Sequence, residues 1–352
     1  MNTALRASIL TVAAALFLHG AASSQRDRIA LTDGTVIADV TVTSFDLRNV
    51  EFQRRGSKDT RSTDVVADLE VAKVKEAYRS AYAAIGTPEG PGTFLRDCRK
   101  QTDPFLKQFG YVEAARLFLD EGQINEGFLV LEELATECPD SGFLPMLYRE
   151  KLDYYLSEGK DKAGDAMSVA QSYARASQTQ GFPPGFTVEA RFYETMAKAA
   201  SGGLEPDRLR AQLRSLLNDA SGFPNVADRC RLQIGNSLRA EKNFDEAQKE
   251  YEQLLDRPGA TAGVRAGAWL GLGHCAFSKA SSAEPEGFRQ ALLAFLRVYV
   301  ETPDAPPATI AEALFMGAQA AQKWGGPDSA QIRNTLGYRL QRDHPDSPWN
   351  RR

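Results

Sequence analysis

Two hydrophobic periods divide the chain. Between residues 28 and 71 apolar and polar positions alternate: Ile29 and Leu31 precede an Asp33-Gly34 turn, and Val36, Val40 and Val42 stand among Thr35, Thr41 and Thr43. β-Branched residues at period two around an Asp-Gly turn predict a β-hairpin. Further runs at 47–52 and 65–71 extend this to four or five short antiparallel strands over residues 26–71. A sheet this small buries little surface alone, so it is expected to pack on the rest of the chain or to curl into a small barrel. After residue 72 the apolar spacing changes to three and four, which predicts helices to the end of the chain. Breaks rich in glycine and proline fall at 86–92, 139–142, 181–185, 222–224, 258–263 and 303–307. Their separation, about 35 to 45 residues, is the period of stacked helix-turn-helix units.

Within that period one order of residues recurs. The stretch QALLAFLRVYVETP places Ala291, Phe295 and Pro303 after Trp269, Leu272 and Gly273; Ile234 and Gly235 precede Ala247, Tyr251 and Pro258; Tyr111, Ala114, Ala115 and Phe118 precede Gly127, Leu131, Leu134 and Pro139. Side chains three and four apart share a helix face, so a small residue admits a neighbouring helix and the aromatic fills the next gap. Proline ends the pair because it cannot continue the helix. The packing set expected from this is Ala115, Gly127, Gly235, Ala247, Tyr251, Trp269, Gly273, Ala291 and Phe295.

The order resembles the tetratricopeptide repeat, a unit of about 34 residues. The 111–139 unit keeps the family's offsets, the 231–258 unit closes one residue early, and the 269–303 unit carries extra residues around 281–287. Units near 143–180, 184–222 and 308–345 show the two-helix rhythm only. The resemblance implies a mainly α fold: a right-handed helical-hairpin solenoid over 107–345, led by a helical hairpin at 72–106 and followed by a tail at 346–352. The N-terminal module, 26–71, is similar in length and strand rhythm to SH3-like and Sm-like β-barrels. Family geometry turns set positions of first helices into a concave groove, which here implies Arg116, Arg229, Asn236, Arg239, His274 and Phe277 as partner contacts. Asn236 with Gln233 resembles part of the clamp by which some members grip a C-terminal carboxylate. Leu232 stands where that clamp has a lysine, so the ligand is not carried over.

The start of the chain follows neither period. Arg6, an apolar run at 9–18 and the small residues 20–24 form the pattern of a secretory signal peptide over 1–24. The apolar run stops at His19, short of the roughly 20 residues that span a bilayer, so export with cleavage is favoured over a membrane anchor. Loss of Arg6 with the leader shifts the formal net charge from −4 to −5. A nucleic-acid binder would need a clustered basic face, which this balance does not supply.

Chemistry adds little. Cys98, Cys138, Cys230 and Cys275 contain no CxxC spacing, so no metal site is expected; register keeps Cys230 from Cys275 and leaves a Cys98–Cys138 disulfide open. Beyond the leader only His274 and His344 are available as bases, and GTPEGPG at 86–92 lacks the lysine of a phosphate loop. The expected function is a non-enzymatic scaffold of the cell envelope, without cofactor, holding a protein partner. The polar last unit, with Ile332, Leu336 and Leu340 facing inward, reads as a cap and predicts a monomer. The alternatives are a carbohydrate- or wall-binding protein using the β module, whose aromatics are Phe45 and Phe52, or a self-stacking structural subunit.

Overall fold

The computed structural model describes residues 26–351; the expected signal peptide, 1–24, lies outside the described residues. The chain is mainly helical, with a small antiparallel sheet at its N-terminal end. Asp27–Leu31 (β1), Val36–Phe45 (β2), Asn49–Arg54 (β3), Ser57–Ser62 (β4) and Val66–Glu70 (β5) are ordered β4-β3-β2-β1-β5. The long β2 serves two partners: Val40 and Val36 lie opposite Asp27 and Ala30 of β1, then Thr41 and Phe45 lie opposite Gln53 and Val50 of β3. Ile37, Val40, Val42 and Phe45 of β2 turn inward. Strict alternation fails twice along it, at Asp39, which has φ 58°, and at a bulge between Val42 and Ser44. Each irregularity inserts the extra residue that returns the next apolar side chain to the core. Buried Asp27 ties the sheet to the helices: its carboxylate accepts from Val42 N at 2.7 Å and Ala72 N at 2.8 Å.

Fifteen α-helices follow among the described residues. Ala72–Ala77 (α1), Arg79–Ala83 (α2) and Gly90–Lys100 (α3) lead into six hairpins. These are Pro104–Asp120 with Ile124–Glu137 (α4, α5), Leu144–Ser157 with Ala163–Thr179 (α6, α7), and Pro184–Ala200 with Pro206–Asp219 (α8, α9). Then come Pro224–Ala240 with Phe244–Leu255 (α10, α11), Ala262–Lys279 with Glu286–Glu301 (α12, α13), and Pro307–Trp324 with Ser329–Asp343 (α14, α15). Each first helix packs on its own partner and on the second helix before it, and from α6 onward also on the next first helix. The first helices therefore make one layer and the second helices another.

The expected boundary at 106/107 moves. Pro104 occupies the first turn of α4 and the Asp103 carboxylate accepts from Phe105 N at 2.9 Å, so this helix begins three residues before the expected start of the repeats. Within the expected tail, Trp349, in the turn Pro348–Arg351, lies 5.2 Å from the Phe315 ring. All four cysteines are buried free thiols, Cys98 and Cys138 included; burial pushes the Cys98 and Cys230 thiols up to about 12.

The β module lies across the turns that join successive hairpins. At the α5–α6 turn Asp46 bridges Ser141, and Leu47 N donates to Asp140 O at 2.8 Å. Buried Gln108 of α4 joins this corner, donating to Phe45 O at 2.9 Å and accepting from Ser141 Oγ at 2.7 Å. At the head of α8 the Asp64 carboxylate accepts from Gly185 N at 2.7 Å. The Asp33-Gly34 turn rests on Gly259, between α11 and α12, so closely that a methyl group there would stand 2.6 Å from the Asp33 carbonyl carbon. One small module thus spans turns from the first hairpin to the start of the fifth.

Candidate functional site

The first helices position two adjoining clefts. One, of about 170 Å³, lies between β5 and helices α4, α6, α8 and α10 and is bordered by charged side chains. The other, of about 560 Å³, crosses α6, α8, α10 and the start of α12 and ends at Pro306; Leu156, Phe192, Met196, Leu232 and Val264 make it largely apolar. Asp153 and Arg229 border both, so the two clefts adjoin at this pair.

At that junction a charge network ties three successive first helices. Glu189 of α8, buried, accepts from Tyr173 Oη at 2.7 Å and lies 3.6 Å from Arg149 of α6 and 3.9 Å from Arg229 of α10. Asp153 accepts from Tyr193 Oη at 2.7 Å and lies 3.6 Å from Arg229, whose guanidinium also bonds Tyr193 Oη and covers its ring at 5.4 Å. A carboxylate as buried as Glu189 is tolerable only with such compensation, and removal of either arginine would leave it exposed to the desolvation penalty. Glu150, one helical turn before Asp153, has no ammonium or guanidinium within ion-pair distance among the described residues. Burial, then Asp153, pushes its carboxyl above the usual range; burial does the same to Glu113 despite Arg116 at 3.8 Å.

Of the six side chains implied as contacts, Arg116 and Arg229 border the charged cleft. The other four hold helices together. Asn236 accepts from Tyr251 Oη at 2.9 Å and donates to Gln233 at 3.2 Å, so the pair resembling a carboxylate clamp is engaged within the fold. Arg239 is half-buried against Tyr251. His274 meets Glu312 of α14 at 2.8 Å and the edge of Phe295 at 5.4 Å. Phe277 lies 5.3 Å from Phe288, with Lys323 of α14 5.3 Å from its ring. Asn236, Arg239 and Phe277 are met by the second helix of their own hairpin, and His274 and Phe277 also by the next first helix, α14.

Eight residues of the packing set are buried or lie where a side chain would strike a neighbour, and Trp269 is half-buried. Ala115, Ala247, Ala291, Tyr251 and Phe295 are buried. A methyl on Gly127 would stand 2.7 Å from Leu119, on Gly235 2.7 Å from the Tyr251 ring, and on Gly273 2.4 Å from the Phe295 ring. Trp269 packs against the core of the last two hairpins, donating to Glu301 at 3.0 Å beneath the Arg297 guanidinium at 4.4 Å. Phe45 and Phe52 are core residues of the β module, which removes the aromatic platform a sugar site there would use. Sequence reasoning missed Glu189, Arg149, Glu150 and Asp153. The available signal was a glutamate inside the apolar run FTVEARFY, where a polar residue needs a partner.

No group of three or more His, Cys, Asp or Glu arranged for a metal ion occurs among the described residues, and none of their helices is long and apolar enough to cross a membrane. No family model matches the chain, and no curated protein does. Among solved structures it is similar to the crystal structure of BtubC (BKLC) from P. vanneervenii, at 13% identity over 77% of this chain and 88% of that one, with a TM-score of 0.35. A likeness this distant bears on no functional question.

Proposed function

We propose that the chain is an exported, non-enzymatic scaffold that holds a protein partner along its first helices. The reading takes the row of hairpins as a right-handed solenoid of the tetratricopeptide-repeat kind, with the first helices on its concave side. Export rests on the leader pattern at 1–24. One observation carries the binding role: the charged cleft beside β5 and the apolar cleft ending at Pro306 adjoin at Asp153 and Arg229. A groove that crosses four or more successive helices and changes from polar to apolar suits a segment of polypeptide better than a small molecule.

A photo-crosslinking amino acid tests this in the intact cell. Placed at Met196 or Gln233, in the groove, it is expected to capture the same protein from both positions. Placed at Arg214 or Lys249, on exposed faces of second helices, it is expected to capture none. Adducts from the second helices alone, or none from any position, would overturn the reading.

A further inference from the structure

β5 ends the strand order: it pairs with β1 on one side and has no strand on the other among the described residues. Successive side chains of a strand point to opposite faces. Four consecutive residues, Val66, Ala67, Asp68 and Leu69, nevertheless border the charged cleft. A strand does that by presenting its edge, so the outward N–H and C=O groups of β5 look into the space above α4 and α6. Such an edge is a template for another extended chain.

The cleft is also unbalanced in charge. Arg149 and Arg229 are taken up by Glu189 and Asp153, and Arg116 by Glu113. Glu150 and Asp68 have no cationic side chain at ion-pair distance among the described residues. Alternate side chains of a strand added to β5 would fall toward α4 and α6, where Glu150 stands, with Asp68 on β5 beside them.

We propose that β5 accepts an extended segment of the partner as an added strand, and that this segment sets a lysine or arginine against Glu150. The inference rests on the groove being a partner site and narrows that partner to an extended, basic segment. Main-chain hydrogen bonds would supply the affinity and the charged floor the choice of side chain.

The test uses the full chain and a short fluorescein-labelled peptide alternating lysine with threonine or valine, followed by fluorescence anisotropy. A glutamate-for-lysine peptide is expected to bind about tenfold more weakly or worse, as loss of a charge-assisted contact requires. N-methylation of alternate peptide amides is expected to abolish binding in one of its two phases, because alternate amides face the template. Hydrogen exchange at residues 66–70 should slow on binding. Glu150→Gln should weaken the lysine peptide about tenfold, whereas Arg214→Glu, on an exposed face of a second helix, should leave it unchanged. No binding, equal binding of the two peptides, indifference to both N-methylation phases, or unchanged exchange at 66–70 would each overturn the inference. Groove crosslinks that persist while the lysine peptide fails would overturn this inference alone; loss of those crosslinks would overturn the scaffold reading.

Discussion

The turn at 256–262 separates two ways of holding a row of hairpins. Before it, the turns are gripped from outside the row: Asp46 and Leu47 hold the α5–α6 turn, Asp64 holds the head of α8, and the Asp33-Gly34 turn reaches Gly259. Beyond it, helices grip one another. Gly271 closes on the Tyr251 ring and Gly273 on Phe295, while His274 and Phe277 reach Glu312 and Lys323 of α14. Glycine serves both kinds of contact: Gly259 admits the backbone of the β module, whereas Gly235 and Gly273 admit the aromatic rings of their own second helices. Damage to the second region should therefore propagate along the helices, and damage to the first should stay near the module.

Phe295→Ala is the hardest blow to the second region. The side chain is 1% exposed, and truncating a buried phenylalanine costs about 3–5 kcal/mol. Urea denaturation should show that loss, with hydrogen exchange rising across α12–α15 while α4–α8 stay protected. Equal loss of protection throughout would erase the distinction between the regions. Gly259→Val attacks the first region at its far end. Its new side chain would meet Asp33 and Gly34 backbone, which cannot step aside as a flexible side chain would, so about 1–3 kcal/mol of strain is expected. Exchange should rise at 31–36 and 256–262, with α12–α15 unchanged.

The same contrast explains what was legible in the sequence. Small-to-aromatic spacing reports packing within and between adjacent helices, and it located Gly235, Tyr251, Gly273 and Phe295 because those partners recur at a helical period. Alternating valines located the strands but not where the module would land. The breaks at 139–142, 181–185 and 258–263 read as turns, and a glycine needed for a turn looks like one needed for space. The structure separates them: Gly181 has φ 68°, whereas Gly142, Gly185 and Gly259 have no left-handed backbone and lie where a side chain would strike the β module. The contact between Asp64 and Gly185 joins residues 121 positions apart, beyond any local period. The charged cleft was half legible for a related reason. The helical spacing singled out Arg116 and Arg229, which border it, but Glu150 borders it together with β5, an element outside the helical period.

Smaller effects sharpen the comparison. Asp64→Ala removes the acceptor of Gly185 N and should cost about 0.5–2 kcal/mol, the range for losing a helix cap. A lowered Tm with faster exchange at 63–66 and 184–187 would place that loss at the module's hold on α8; a change confined to α12–α15 would contradict it.

Glu150→Gln should have the smallest effect and the opposite sign. Burial raises the folded carboxyl above its ordinary value near 4.5, so the folded chain binds that proton more tightly than the unfolded chain does. Stability associated with Glu150 is therefore lost as pH rises from the ordinary value through the raised one. Glutamine should recover about 1 kcal/mol at pH 7, a gain that shrinks as pH falls into the carboxylate range. Glu133 offers the reverse case: Arg99 bonds it at 2.7 Å and holds its carboxyl below the usual range, so Glu133→Gln should weaken the fold at pH 7 and matter less in acid. Thermal melts from pH 4 to 8 decide both signs. If Glu150→Gln stabilises the free chain and also weakens the lysine peptide, the carboxylate serves a guest cation at the expense of the fold. If it destabilises the free chain, Glu150 belongs to the same structural network as Glu189.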